Sequence, residues 1–375
     1  MINIIGIGPN RENITISALK ALEESDVIIG YKKYIDSISD LIEGKEVIRK
    51  GMGDEISRGE LAIAKSLEGK KVAIISSGDP GVYGMANLMF QLISKYKGID
   101  VKVFPGVSAV NFAADILGAP LHDFAVISLS DILTPLCEIE KKIEYAAKAD
   151  FIIAIYNPIS KTRKEPFKRF KEILKETKDS KTLIGIVNSK EDPNNPKKLI
   201  ITLEDFENID ENDENYINMS TTLIVGNSLT YLDVDSNGNS YLITPRGYVI
   251  KSDIHSLSEQ FYTKFLKGET PSGPNKKCEY YPCHNESQCC DAQCCDFCYC
   301  PFYPCGDSST GGKWIKDKNV WSCQDCMWIH NEKTIQCIKE KLSDILEKPE
   351  DLILKKKQLL KLRRACILET KNNIT

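Results

Sequence analysis

The chain has no run of about 18 apolar residues, the length a helix needs to cross a bilayer, so no membrane span is expected. Its opening, Met1 to Asn10, has no charged leader followed by a long apolar block. It reads as a strand entering a glycine turn, and the cytoplasm is the expected compartment. Excess positive charge is also missing: the formal net charge is -4, which argues against a general nucleic-acid binder while leaving room for local basic patches. Cysteine is almost absent before position 278, where Cys137 stands alone among 14, yet nine fall between Cys278 and Cys305. So abrupt a shift marks a domain boundary, and in a reducing compartment dense cysteines point to metal or cluster ligation more than to disulfides.

What is present is an alternation of strands and helices. A total of 375 residues leaves room for two or three domains with cores of their own. Residues 2 to 8 form a strand ending in Gly6-Ile7-Gly8-Pro9-Asn10. A dinucleotide fingerprint would need glycine at position 11, which is Arg11. A helix from Thr15 to Glu24, a strand from Val27 to Gly30, a helix near Tyr34 to Ile42, a strand at Glu46 to Ile48 and a helix from Glu55 to Leu67 follow. Val72 to Ile75 then runs into Ser76-Ser77-Gly78-Asp79-Pro80-Gly81, and Val101 to Phe104 into Pro105-Gly106-Val107-Ser108-Ala109. This order predicts an α/β fold with a parallel sheet covered on both faces. Three turns of small residues, 6 to 10, 76 to 81 and 105 to 109, are expected at strand carboxyl ends, where open α/β sheets bind their ligands.

Near Gly118 the chain enters a second α/β unit, with strands at Ala125 to Ser128, Phe151 to Tyr156, Leu183 to Val187, Leu199 to Thr202 and Thr222 to Val225. The acidic stretch Glu204 to Glu214 reads as a solvated loop or helix end. The expected division is 1–117 and 118–250 for the two α/β domains, 251–274 for a linker, 275–340 for a cysteine-rich metal-binding domain and 341–375 for a Lys-rich helical tail.

The motifs GYKKYIDSI (Gly30 to Ile38), GMGDEISRGELA (Gly51 to Ala62), SSGDPGVYGMA (Ser76 to Ala86), PGVSAVNFAA (Pro105 to Ala114), SLSDILTP (Ser128 to Pro135), YNPISKTR (Tyr156 to Arg163) and TPRGY (Thr244 to Tyr248) resemble those of the tetrapyrrole methylases. SLSDILTP and YNPISKTR resemble the branch that methylates carbon 17 of precorrin-3B or cobalt-factor III. The resemblance covers residues 1 to about 250 and implies two α/β domains with the active site in the cleft between them. It also implies S-adenosylmethionine as methyl donor, a carboxylate-rich corrin precursor as substrate, ring contraction with loss of the carbon-20 bridge, and a homodimer. The cobalt-first anaerobic route to cobalamin is the expected setting. Methylation of another ring position is the alternative, and SLSDILTP and YNPISKTR argue against it.

By the same resemblance Pro9, Ser77, Gly78, Asp79, Val82, Ser108, Ala109, Tyr156 and Asn188 line the cofactor site. Asp79 could accept a hydrogen bond from the cofactor's amino group or cap a helix. Thr134, Lys161, Arg163 and Arg246 are candidate substrate contacts, the three cations as carboxylate partners. Ser128, Ser130, Asp131 and His122 are candidates for proton transfer, with a structural role as the alternative for the lone His122. Two departures stand out. Asn10 occupies the last position of the family's GxGPG turn, where its tolerance of left-handed angles would preserve the turn. Leu136 follows LTP, where the family often has Trp.

The cysteine-rich segment resembles a small domain of that character found in some archaeal and bacterial proteins. Its candidate metal ligands are Cys278, Cys283, Cys295, Cys298, Cys300, Cys323 and Cys326. Cys323-x2-Cys326 and Cys295-x2-Cys298-x-Cys300 have ligand spacing, for zinc or for an iron–sulfur cluster. A binding module that docks nucleic acid or a partner enzyme through a zinc ribbon and the Lys-rich helix is the alternative for this end of the chain.

Overall fold

A computed structural model describes residues 1–210, 213, 215–246, 254–284, 293–315 and 320–371. The chain divides into two compact units, Met1–Pro245 and Arg246–Thr375. No helix among the described residues is long and apolar enough to cross a membrane.

The first unit opens with β1 (Ile2–Gly6), α1 (Ile16–Glu23), β2 (Val27–Tyr31), α2 (Lys32–Asp36), β3 (Glu46–Lys50), α3 (Glu55–Leu67), β4 (Val72–Ser76), α4 (Met85–Ile93), β5 (Val101–Phe104) and α5 (Ala109–Leu117). The five strands form one parallel sheet in the order β3-β2-β4-β1-β5. Alternate residues of the central strands serve opposite faces. Ile2, Ile4, Val27, Ile29, Val72 and Ile74 pack with Ala62, Ile63 and Met89 of α3 and α4. Ile5, Ile28, Ala73 and Ile75 pack with Ala18, Leu22 and Ile35 of α1 and α2. Burial on both faces explains the apolar runs Val27–Ile29 of β2 and Val72–Ile75 of β4.

The unit continues with β6 (Phe124–Ser128), α6 (Leu136–Lys148), β7 (Ile152–Tyr156), α7 (Glu165–Thr177), β8 (Leu183–Asn188), β9 (Lys197–Thr202), α8 (Leu203–Glu207) and β10 (Thr221–Val225). The second sheet has the order β6-β7-β10-β8-β9. β6 and β7 are parallel, whereas β10 runs antiparallel to both β7 and β8, and β9 antiparallel to β8. The acidic stretch begins as α8, whose Phe206 is fully buried beside Phe167 and Phe170. The hairpin β11 (Tyr231–Val234) and β12 (Ser240–Ile243) closes the unit. Asp235 holds its turn by accepting from the backbone N–H groups of Asn237 and Asn239 and from the Tyr241 hydroxyl.

The second unit contains α9 (Ser256–Leu266), β13 (Lys313–Ile315), β14 (Val320–Ser322), α10 (Glu332–Leu342), α11 (Asp351–Leu354) and α12 (Lys356–Lys371). One expectation changes here. The stretch 251–274 is not an open linker: it carries α9, whose Tyr262 is fully buried and donates to the Tyr299 carbonyl at 2.6 Å. The Lys-rich stretch expected to be helical does form helices, and Leu359, Leu362 and Cys366 share a core with Tyr262, Phe297, Phe302, Ile338 and Leu342. Cys337 of α10 and Cys366 of α12 are joined by a disulfide, which ligand spacing gave no reason to expect.

Candidate functional site

β4, β1 and β5 are neighbours in the first sheet and end in register, Gly6 beside Ser76 and Ile5 beside Phe104. Their carboxyl-terminal turns therefore meet. Gly8 and Gly78 form an antiparallel bridge, with Gly8 N–H donating to Gly78 C=O at 3.2 Å and Gly78 N–H to Gly8 C=O at 3.0 Å. Both residues have positive φ, +69° and +63°, which only glycine adopts freely. A Cβ on Gly6 would lie 2.6 Å from the Gly78 oxygen, and one on Gly106 would overlap that same atom. The three backbones touch with no room for a side chain between them.

Asp79 joins the second turn to the third. Its Oδ1 accepts from Gly81 N–H at 2.7 Å and its Oδ2 from Gly106 N–H at 3.1 Å. It does not cap α4, whose N-cap is Gly84. The first turn behaves differently from expectation. Asn10 has φ −150°, an extended backbone, so left-handed tolerance is not what this position uses. Its side chain instead accepts from Asn13 N–H and donates to the Pro193 carbonyl, both at 3.1 Å.

Two tyrosines reach across between the sheets. Tyr156, at the end of β7, places its hydroxyl 2.8 Å from Val110 N–H, in the first turn of α5 where helix amides have no intrahelical partner. Burial pushes its phenol pKa up, so the hydroxyl stays neutral. In return Tyr83, from the loop before α4, donates to Val126 C=O at 3.2 Å and accepts from Ser128 N–H at 3.3 Å. Val82 and Ala109 pack against Val110, Ala154 and Tyr156. Ser108 caps α5 and is buried, Pro9 is half-buried and Ser77 is exposed. Six of the nine cofactor candidates lie on the three turns, Val82 follows the second turn and packs with Tyr156, and the Tyr156 hydroxyl meets the start of α5 just after the third. Asn188 lines a cavity of about 220 Å³ with Lys190, Asp192, Asn195 and Asn215.

The member-specific loops are tied together. Ser128 Oγ accepts from Ser130 N–H at 3.2 Å and from Asn157 Nδ2 at 3.0 Å. Arg163 is turned inward, donating to the carbonyls of Leu129 and Asn157 and pairing with Asp131 at 3.8 Å. Its side chain is only 10% exposed, so it braces these loops rather than offering a free fork to a substrate carboxylate. His122 is half-buried between α5 and β6. Ile132 and Leu133 are 80% and 94% exposed, with half-buried Thr134 beside them. Arg246 is exposed and begins the second unit; Gly247 and Tyr248 of its motif lie outside the described residues.

A cavity of about 360 Å³ in the first unit is lined by Lys33, Lys161, Lys164 and Lys190 together with Ile159 and Met219. Four lysines beside apolar side chains suit a flat apolar ring with carboxylate arms. Lys161 was predicted from the sequence; Lys33, Lys164 and Lys190 were not. The signal for Lys33 was its place in GYKKYIDSI.

In the second unit a cavity of about 480 Å³ is lined by residues that include Cys298, Cys300, Cys305, Cys323, Cys326 and His330. Burial raises the thiol pKa values of Cys295, Cys298, Cys300 and Cys326, and pushes that of Cys323 up to about 12. Among the described residues no three His, Cys, Asp or Glu side chains already stand around a common point as metal ligands do. Cys289 and Cys290 lie outside the described residues.

Residues 1–189 match the family described as Tetrapyrrole (Corrin/Porphyrin) Methylases, and residues 270–352 match the Cysteine-rich small domain. The chain is 55% identical over 368 residues to a probable cobalt-factor III C(17)-methyltransferase of Methanothermobacter thermautotrophicus, covering 98% of this chain and 99% of that one. It is 43% identical over 262 residues to the protein of the same description from Methanocaldococcus jannaschii, covering 68% of this chain and all of that one. Among solved structures it is similar to the methyltransferase CobJ, with a TM-score of 0.58 and 33% identity over 64% of this chain and 98% of that one.

Proposed function

The chain belongs to the tetrapyrrole methylase family, and we infer that its first unit transfers the methyl group of S-adenosylmethionine to carbon 17 of cobalt-factor III in anaerobic cobalamin biosynthesis. The observation that carries this reading is the meeting of three glycine turns at the ends of β4, β1 and β5, closed by Tyr156. Small residues there leave main-chain N–H and C=O groups as the donor set, which fits the adenine, ribose and amino-acid ends of a nucleoside sulfonium. The cofactor, when bound, supplies an electrophilic methyl group for in-line displacement. The chain's own part is to hold, align and exclude water.

Asp79 keeps the second and third turns at fixed separation, and Tyr156 and Tyr83 fix the two sheets against each other. The four-lysine cavity is assigned to the substrate's carboxylates. Ser128, Ser130 and Asp131 stay candidates for the proton transfers of ring contraction. The resemblance also implies a homodimer working in the cytoplasm. The cysteine-rich unit is assigned to metal binding on its ligand spacing.

Anaerobic turnover of cobalt-factor III, metal-free precorrin-3B and precursors methylated at other ring positions tests the reading. Preference for cobalt-factor III is expected; preference for a precursor of another ring position would transfer the chain to a different branch of the family.

A further inference from the structure

β6 and β7 are parallel neighbours that end in register, Ser128 beside Tyr156. Ser128 therefore stands at the carboxyl ends of parallel strands, the edge where α/β sheets bind their ligands. Two contacts tie this point to the side of the three turns. Ser128 N–H donates to the hydroxyl of Tyr83, from the loop that follows the second turn, at 3.3 Å, and Leu129 N–H donates to the carbonyl of Tyr156 at 2.9 Å.

A serine hydroxyl has one proton to give and two lone pairs that accept. At Ser128 both lone pairs are taken: Ser130 N–H donates to Oγ at 3.2 Å, and the side-chain amide of Asn157, assigned with its nitrogen towards Ser128, donates at 3.0 Å. Among the described residues nothing accepts the Ser128 proton, and the side chain is half-buried rather than sealed. A proton relay must accept one proton as it gives another. A hydroxyl with both lone pairs filled can only donate.

Asn157 is held where this requires it. Its φ is +51°, in the left-handed region that asparagine tolerates better than most side chains. Its carbonyl accepts from Arg163 Nη2 at 2.9 Å, and the same guanidinium donates to the carbonyl of Leu129, the residue after Ser128. One inward-turned cation thus clamps both partners of the Ser128–Asn157 hydrogen bond through their backbones.

We propose that Asn157, braced by Arg163, is a positioning residue that fixes the polarity of Ser128, so that Ser128 meets the tetrapyrrole only as a hydrogen-bond donor to a carboxylate oxygen. The proposal rests on the tetrapyrrole reading above and narrows it. Ser128 leaves the set of proton-transfer candidates and becomes a residue that selects a substrate with an acceptor at this point.

Variants of the full chain test this by anaerobic visible-absorbance titration with cobalt-factor III. Asn157→Asp has nearly the same shape and tolerates the left-handed backbone, but its carboxylate only accepts, so Ser128 must turn its proton towards it. Affinity should fall roughly tenfold or more in Ser128→Ala, the loss expected for a donor to a charged acceptor, and by a similar factor in Asn157→Asp. The double variant should bind no more weakly than the weaker single one, because both changes remove the same contact. Melting temperature and S-adenosylmethionine affinity should hold in Asn157→Asp, whereas a merely structural role would move them. Undiminished affinity in Asn157→Asp would overturn the polarity, and losses that multiply in the double variant would place the effect of Asn157 elsewhere. Undiminished affinity in Ser128→Ala would overturn the contact itself. Should the aspartate variant fail to fold, Asn157→Gly keeps the left-handed turn and should lie between the unaltered chain and Ser128→Ala; affinity equal to that of the unaltered chain would remove Asn157 from the role. If the unaltered chain binds a precursor of another ring position instead, the branch assignment falls and the same comparison on that precursor decides this proposal. A chain that binds no tetrapyrrole would overturn both.

Discussion

The Tyr156 hydroxyl accepts the hydrogen bond of Val110 N–H at 2.8 Å, so the last residue of β7 in the second sheet completes the first turn of α5 in the first half of the unit. Val110 is 3% exposed, and without this acceptor its amide has no water to turn to.

Tyr156→Phe should therefore cost about 1–2 kcal/mol of stability, the usual penalty for an unpaired buried donor. Thermal unfolding measures the loss, and titration calorimetry should show weaker S-adenosylmethionine binding as the third turn loosens. The effect has a defined pH window. A phenol whose pKa is raised on folding contributes stability that is present below the unfolded value of about 10 and is lost as pH rises through the folded value. The gap between the natural chain and the variant should be flat across neutral pH and narrow above pH about 10.

Asp79→Ala removes both acceptors that space the second and third turns. Charge-assisted hydrogen bonds contribute about 1.5–3 kcal/mol, so cofactor affinity should fall roughly ten- to a hundredfold while circular dichroism stays native. Asp79→Asn should lie close to the alanine variant if its Nδ2 faces Gly106 N–H, since two donors would then meet. Unchanged affinity in both variants would remove Asp79 from the site.

Gly106→Ala should be more damaging than Gly81→Ala. The first places a methyl group on the Gly78 carbonyl, a backbone atom that cannot move without breaking the Gly8–Gly78 bridge. The second meets only the Asp79 side chain, at 3.1 Å. Cofactor binding and melting temperature measured on both should fall clearly for Gly106→Ala and little for Gly81→Ala.

Lys33→Ala and Lys161→Ala should raise KM for the tetrapyrrole in a salt-dependent way and leave the cofactor dissociation constant unchanged, because both line the carboxylate cavity. A shift in cofactor affinity instead would relocate the cavity's role.

The three turns were legible in the sequence because glycine and proline at strand ends are a local signal. Their convergence followed from strand order, which spacing alone does not give. The direction of β10 was not legible, since an apolar run buried on both faces reads alike either way round. The inward turn of Arg163 was not legible for a related reason: its carbonyl partners lie 34 and six residues away. α9 looked like part of a linker because its apolar partners, such as Phe297 and Leu359, lie far along the chain.

The most direct measurement is the destination of the methyl group. Full-length chain, cobalt-factor III and isotopically methyl-labelled S-adenosylmethionine would be incubated without oxygen and the product read by nuclear magnetic resonance. The account predicts label on carbon 17, lost in proportion to cofactor affinity in Asp79→Ala; label on another ring carbon, or full labelling by that variant, would contradict it.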